Sequence, residues 1–181
     1  RITGGALHNQ NELKLTGKPT GSNYVINGQT YTAAQVGTLN GTLVFDSGDA
    51  LERIAAAAYP ANFNASNTNN TRDDRSDDKG PEPEGVTVAR LLGRNYLFVV
   101  LERVGGVVVY DLANPVLPEF VQYINPRNFD SATNTVGAGD LGPEGARVLD
   151  EKSSPTGKPL LIVSNEVSGT LRVFEIRKQE K

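Results

Sequence analysis

Short apolar runs separated by Gly- and Pro-bearing turns recur through the second half of the chain, and they recur in a fixed order. From Gly80 the sequence reads Gly-Pro-Glu-Pro-Glu-Gly (80 to 85), Val-Thr-Val, a Gly-containing turn, Tyr-Leu-Phe-Val-Val-Leu-Glu (96 to 102), Gly105-Gly106 and Val-Val-Val-Tyr-Asp (107 to 111). From Gly142 it reads Gly-Pro-Glu-Gly (142 to 145), Ala-Arg-Val-Leu, a turn with Pro155 and Gly157, Leu-Leu-Ile-Val-Ser-Asn-Glu (160 to 166), Ser168-Gly169 and Thr-Leu-Arg-Val-Phe-Glu (170 to 175). Runs of β-branched and aromatic residues bounded by turn residues are the signature of antiparallel strands. Residues 118 to 124 add a fourth strand to the first unit. Upstream, Asn40 to Asp46 resembles the closing strand of each unit, and the aromatics Phe45, Tyr110 and Phe174 are spaced 65 and 64 residues apart.

Two further local signals complete the element list. Asn23–Ile26 and Gln29–Thr32 flank Asn27-Gly28, a dipeptide suited to a two-residue hairpin turn. The Ala-rich stretch between Asp49 and Tyr59 predicts a short helix, with Asp49 as cap, Glu52 at the capping-box position and Pro60 as the stop. The Asn- and Asp-rich stretch from Asn62 to Lys79 has the composition of a long exposed loop.

Four strands per unit predict an all-β fold, a partial β-propeller of two full blades and part of a third, built from four-stranded antiparallel sheets with one helix in an insertion. The whole chain, 1–181, reads as one domain forming the C-terminal segment of a larger propeller. Its parts are a partial blade at 1–48, the helix and acidic loop insertion at 49–79, a blade at 80–125, a loop at 126–140 and a blade at 141–177. Propellers close with about four to eight blades. The expected partners are therefore the remainder of a parent propeller or copies of the chain itself.

Composition narrows the function classes. Nineteen Gly and ten Pro fit a turn-rich chain. A net charge of −3, from 18 basic and 21 acidic residues, leaves no broad basic footprint for nucleic acid. No apolar run approaches the roughly 20 residues of a membrane-spanning helix. There is no Cys, and His8 is the single histidine, which removes thiolate sites and most triad and zinc schemes. Self-contained catalysis is not expected.

The candidate chemistry is acidic. Glu84 and Glu144 occupy the two Pro-Glu-Gly turns, and Glu102 and Glu166 end the two second strands. The innermost strands of propeller blades converge on a channel, so repeated carboxylates there would converge as well. Hard oxygen ligands select Ca2+, with another divalent metal as the alternative. The competing reading has the same glutamates accepting backbone N–H bonds in their turns without metal. Asp74 and Asp78 alternate with Ser76 as in calcium loops, yet an EF-hand pattern would need Gly and Glu where Lys79 and Gly85 stand. Among the basic residues Arg72, Arg75, Lys79, Arg103 and Arg127, Arg103 follows Glu102 directly and is the candidate clamp for a phosphorylated small molecule.

The motifs Leu-Val-Phe-Asp-Ser-Gly-Asp (43 to 49), Asp-Asp-Arg-Ser-Asp-Asp-Lys-Gly-Pro-Glu-Pro-Glu-Gly (73 to 85), Leu-Glu-Arg-Val-Gly-Gly (101 to 106), Asp-Leu-Gly-Pro-Glu-Gly (140 to 145) and Asn-Glu-Val-Ser-Gly-Thr (165 to 170) stand in order along the chain. In this the chain resembles the C-terminal part of choice-of-anchor I family proteins, over about Gly41 to Ile176. The resemblance implies a secreted or surface-anchored β-propeller related to mesenchyme-specific cell surface glycoproteins. It also implies kinship with proteins labelled alkaline phosphatase, so that a metal-dependent phosphoesterase is the alternative function.

Overall fold

The residues from 45 to 178 and the backbone of two strands, β1 (Asn23–Ile26) and β2 (Gln29–Thr32), are described by the computed structural model. The chain falls into two compact units, Ile2–Asp46 and Ser47–Lys181. In the first, β1 and β2 pair antiparallel with Ile26 opposite Gln29, the register that the hairpin expected from sequence requires, while Asn27 and Gly28 themselves lie outside the described residues. The closing-strand trace at Asn40 to Val44 and His8 lie outside the described residues.

The second unit begins with α1 (Ala50–Ala58). Its bounds follow the alanine run, and it ends at Tyr59, whose backbone N–H donates to Ala55 O. The expected capping box does not form. Asp49 makes no side-chain cap bond, because its carboxylate accepts instead from Arg53, a charged donor one turn on.

Seven strands follow. β3 (Pro83–Leu91), β4 (Arg94–Leu101), β5 (Val107–Asp111) and β6 (Glu119–Ile124) form an antiparallel sheet in chain order. β7 (Pro143–Leu149), β8 (Leu160–Asn165) and β9 (Thr170–Glu175) form a second. The four-stranded expectation therefore holds for the first sheet, while the second has three strands among the described residues. A 3-10 turn, Val136–Ala138, lies between the sheets in sequence.

The pairing registers place the two copies in one frame. Pro83 faces Leu101 and Gly85 faces Val100, with Glu84 as the extra residue of a bulge. Pro143 faces Asn165 and Gly145 faces Ser164, with Glu144 extra in the same way. Continuing across each sheet, Val107 corresponds to Leu171, Tyr110 to Phe174 and Asp111 to Glu175. Even an ion pair repeats: Arg94 meets Asp111 at 2.7 Å, and Lys158, two residues before Leu160 as Arg94 is before Tyr96, meets Glu175 at 3.2 Å.

β4 is apolar on both faces because both are covered. On one side Phe98 and Val100, with Val107, pack against Leu161 and Val163 of the second sheet, and Phe174 and Val148 close around them. On the other, Val99, Leu101, Val108 and Tyr110 pack beneath Leu51 and Ala55 of α1. The first strands of the two sheets, β3 and β7, lie together. Their approach is so close that a Cβ on Gly85 would sit 2.2 Å from Glu144 O and 2.8 Å from Val100 Cγ2. Only glycine fits there.

Candidate functional site

The bulge at Glu84 and the end of β4 bring acidic groups to the head of the first sheet. A β-bulge re-aims the side chain at the extra position, and here that side chain is Glu84. Glu102 follows the last residue of β4, and its backbone N–H donates to Glu82 O at 2.8 Å, as that of Glu166 donates to Gly142 O at 2.8 Å. Glu82 thus stands where the second copy has a glycine. Both positions are left-handed, Gly142 at φ +70° and Glu82 at φ +48°. Glutamate accepts that conformation at a cost of order 1–3 kcal/mol, a cost that marks constrained sites.

Carboxylate oxygens of Glu82, Glu84 and Glu102 all lie within 4.8 Å of one another; Glu82 and Glu102 are buried and Glu84 is exposed. Basic side chains surround them. Arg75 Nη2 is 2.5 Å and Arg103 Nε 3.1 Å from Glu82 Oε1, with Lys79 Nζ at 3.8 Å from Oε2. Arg103 Nη1 reaches Glu102 Oε1 at 3.1 Å and donates to Asn67 Oδ1 at 3.1 Å. Asn67 Nδ2 donates to Glu102 Oε1 at 3.0 Å.

These surroundings separate the two buried carboxyls. Burial works to raise Glu82, and the guanidiniums of Arg103 and Arg75 outweigh it, holding the carboxyl below the usual range. Burial also raises Glu102, and there Arg103 does not compensate: with Glu82 and Glu84 adding repulsion, Glu102 is pushed up. Of the two buried carboxyls, Glu102 is the one whose ionised form its surroundings disfavour.

The loop that supplies Asn67 is clasped from behind by Arg127. Its Nη2 donates to Ser66 O at 2.7 Å, Asn69 O at 2.8 Å and Asn70 Oδ1 at 2.8 Å, its Nη1 donates to Arg103 O at 2.9 Å, and its guanidinium lies 4.5 Å from the Phe129 ring centre. No carboxylate partners Arg127 among the described residues, and burial draws its pKa down to about 10.

Of the acidic residues singled out in sequence, the structure joins Glu84 and Glu102. Glu144 and Glu166 are exposed and stand outside that cluster. Asp74 accepts from Asn69 Nδ2 at 2.9 Å and Asp78 pairs with Arg75 at 2.6 Å, both at the surface of the loop. Arg103 sits beside Glu82 and Glu102. Two members were missed. Glu82 had a signal in the doubled Pro-Glu of residues 81 to 84, which the second copy lacks, whereas Asn67 is indistinguishable by composition from its Asn-rich neighbours.

Two facing antiparallel sheets of one repeated unit, with a buried acidic cluster at the head of the first, define a repeat-built all-β protein. The choice-of-anchor I domain, the family the motifs resemble, matches residues 34–115. Over 149 residues the chain is 31% identical to Gigasin-3a of Magallana gigas, covering 74% of this chain and 51% of that protein. It is 26% identical to the mesenchyme-specific cell surface glycoprotein of Strongylocentrotus purpuratus, covering 77% of this chain and 16% of that protein. The chain therefore spans about half the length of the first relative and a small part of the second. No solved structure matches it. No helix among the described residues is long and apolar enough to cross a membrane.

Proposed function

We propose that this chain is part of a secreted or surface-anchored β-propeller whose Glu82, Glu84 and Glu102 hold a divalent cation, calcium by ligand type, and that it serves recognition or scaffolding. The carrying observation is the three carboxylates within 4.8 Å, one of them, Glu102, pushed up by burial and by its acidic neighbours. A hard cation relieves that repulsion, and an all-oxygen donor set suits Ca2+ over softer metals. Arg75, Arg103 and Lys79 already neutralise Glu82, which leaves Glu84 and Glu102 as the oxygens with most to gain. The surface location is supported by the cell surface glycoprotein among the relatives.

The test is thermal. At a hundredfold excess over Kd, Ca2+ stabilises by about 2.7 kcal/mol, which at about 2–4 °C per kcal/mol for a chain of this size is roughly 5–10 °C in Tm. Glu84→Gln and Glu102→Gln should each abolish most of that shift. An unchanged wild-type Tm on adding Ca2+ after chelation would remove the metal from the proposal.

A phosphoesterase would use the same carboxylates with Arg103 as clamp, and Arg103 does stand beside them. Its Nη1 already donates to Asn67 and lies 3.1 Å from Glu102, and its Nε lies 3.1 Å from Glu82, so a phosphate would have to displace those contacts. Chelator-sensitive hydrolysis of a generic phosphomonoester, lost in Arg103→Ala, would favour the enzyme over the scaffold.

A further inference from the structure

The loop between α1 and β3 holds two tripeptides of the form Asn-x-Ser/Thr, Asn64-Ala65-Ser66 and Asn69-Asn70-Thr71. This is the acceptor pattern for N-linked glycosylation, a bulky modification that only a surface position tolerates. The fold treats the two tripeptides oppositely. Asn64, Ala65 and Ser66 are 2%, 0% and 5% exposed, and Asn64 Nδ2 donates to Ser76 Oγ at 2.9 Å. Gly80 closes in beside that nitrogen, since a Cβ there would lie 3.6 Å from it. A sugar on Asn64 has no room.

Asn69 is half-buried, and its two polar groups point in different directions. Arg127 Nη2 holds its backbone carbonyl at 2.8 Å, whereas its side-chain Nδ2 donates at the surface to the exposed Asp74 at 2.9 Å. The middle residue, Asn70, is the anchor: its Nδ2 donates to Phe129 O and Ser131 O, and its Oδ1 accepts from Arg127. Thr71 is exposed, and its backbone N–H donates to Asn69 Oδ1 at 2.9 Å, an Asx turn that spans the acceptor and its threonine. We propose that Asn69 is an N-glycan acceptor and that Asn64 is closed to the same modification in the folded protein. The donor is an oligosaccharide carried on a lipid pyrophosphate. Asn69 Nδ2 forms a bond to C1 of the first sugar and the C1–O bond to the pyrophosphate breaks. The lipid pyrophosphate leaves with that electron pair, and the Nδ2 proton passes to a base on the transferring enzyme. An amide nitrogen has two hydrogens, so one remains to donate to Asp74, and the Arg127 contact with the Asn69 carbonyl is untouched. The inference rests on the secreted or surface-anchored reading, and it is independent of the cation.

The test expresses the full-length protein behind a secretory signal in eukaryotic cells. Treating the folded, purified product with peptide N-glycosidase in heavy-oxygen water turns each glycan-bearing Asn into a labelled Asp, which fragmentation of the tryptic peptides locates. The expected result is label at Asn69 and none at Asn64, with the label lost in Thr71→Ala and kept in Ser66→Ala. An unlabelled Asn69 in the wild type overturns the proposal. So does label at Asn64 in protein that keeps its melting temperature, because the fold would then not choose between the two. Fractionating the organism that makes the protein separates this inference from the surface reading. Protein at the cell surface with a bare Asn69 removes only the glycan. Protein found only inside the cell, with Asn69 labelled on signal-driven export, removes only the surface location.

Discussion

Tyr110 and Phe174 occupy the same position of the repeat, yet only the tyrosine carries a hydroxyl, and that hydroxyl is buried with no partner among the described residues. A buried polar group left unpaired costs about 1–3 kcal/mol. Tyr110 contributes through its ring, which packs with Leu51, Val99 and Val108 and meets Phe120 edge-on at 6.2 Å between centroids. Phenylalanine keeps all of that. Tyr110→Phe is therefore expected to leave the fold unchanged and to raise Tm or hold it level. A clear loss of stability by differential scanning calorimetry would mean that the hydroxyl has a partner, such as a buried water.

At the level of elements, two devices hold the molecule in shape, a missing side chain and a buried cation. Gly85 lets β3 and β7 approach, and Gly85→Ala would force Cβ to within 2.2 Å of a backbone carbonyl that cannot swing aside. Overpacking costs about 1–3 kcal/mol, and a backbone clash belongs at the upper end, so Tm should fall by roughly 6–12 °C at about 2–4 °C per kcal/mol. Arg127 pins the Ser66 to Asn70 loop to the turn after β4. Arg127→Lys keeps a charge and loses the planar fork that reaches several carbonyls at once. It should free the loop, with faster tryptic cleavage at Arg72 and Arg75 and little change in far-UV circular dichroism. An unchanged cleavage rate would show that the loop holds without its clasp. The strands, the pairing of β1 with β2 and the helix were legible in the sequence because alternation, Asn-Gly and an alanine run are local signals. The failed cap at Asp49 was not, since it turned on a competition with Arg53 that spacing alone does not decide.

For the molecule as a whole, the repeat was readable, because a register is a statement about sequence offsets; of the four glutamates expected to converge, the structure brings Glu84 and Glu102 together. The departure of Glu144 and Glu166 from the cluster was not readable. The two copies share a backbone frame, but only the first has Glu82 at the left-handed position and an inserted loop bringing Asn67 and Arg75. That asymmetry gives the molecule a pH dependence of its own. The Glu102 carboxyl is raised in the folded state above its ordinary 4.5, so its stabilising contribution is present below that pH and is lost as pH rises through the folded value. Glu82 is lowered, so its contribution is present above 4.5 and is lost as pH falls through its folded value. Ionising Glu102 in the metal-free folded state is thus a net cost, and Glu102→Gln removes it while Asn67 and Arg103 keep an oxygen to bind. Under metal-free conditions the variant should melt together with wild type in acid and increasingly above it as pH rises toward 7. Added Ca2+ should close the gap at pH 7 by raising only the wild type, and should lose that effect in acid, where protons occupy the same oxygens. Calorimetry on both proteins from pH 4 to 7, with and without Ca2+, reads all of this. A stability difference that stays flat across pH would show that Glu102 carries no uncompensated charge, and equal stabilisation of both proteins by Ca2+ would place the cation elsewhere.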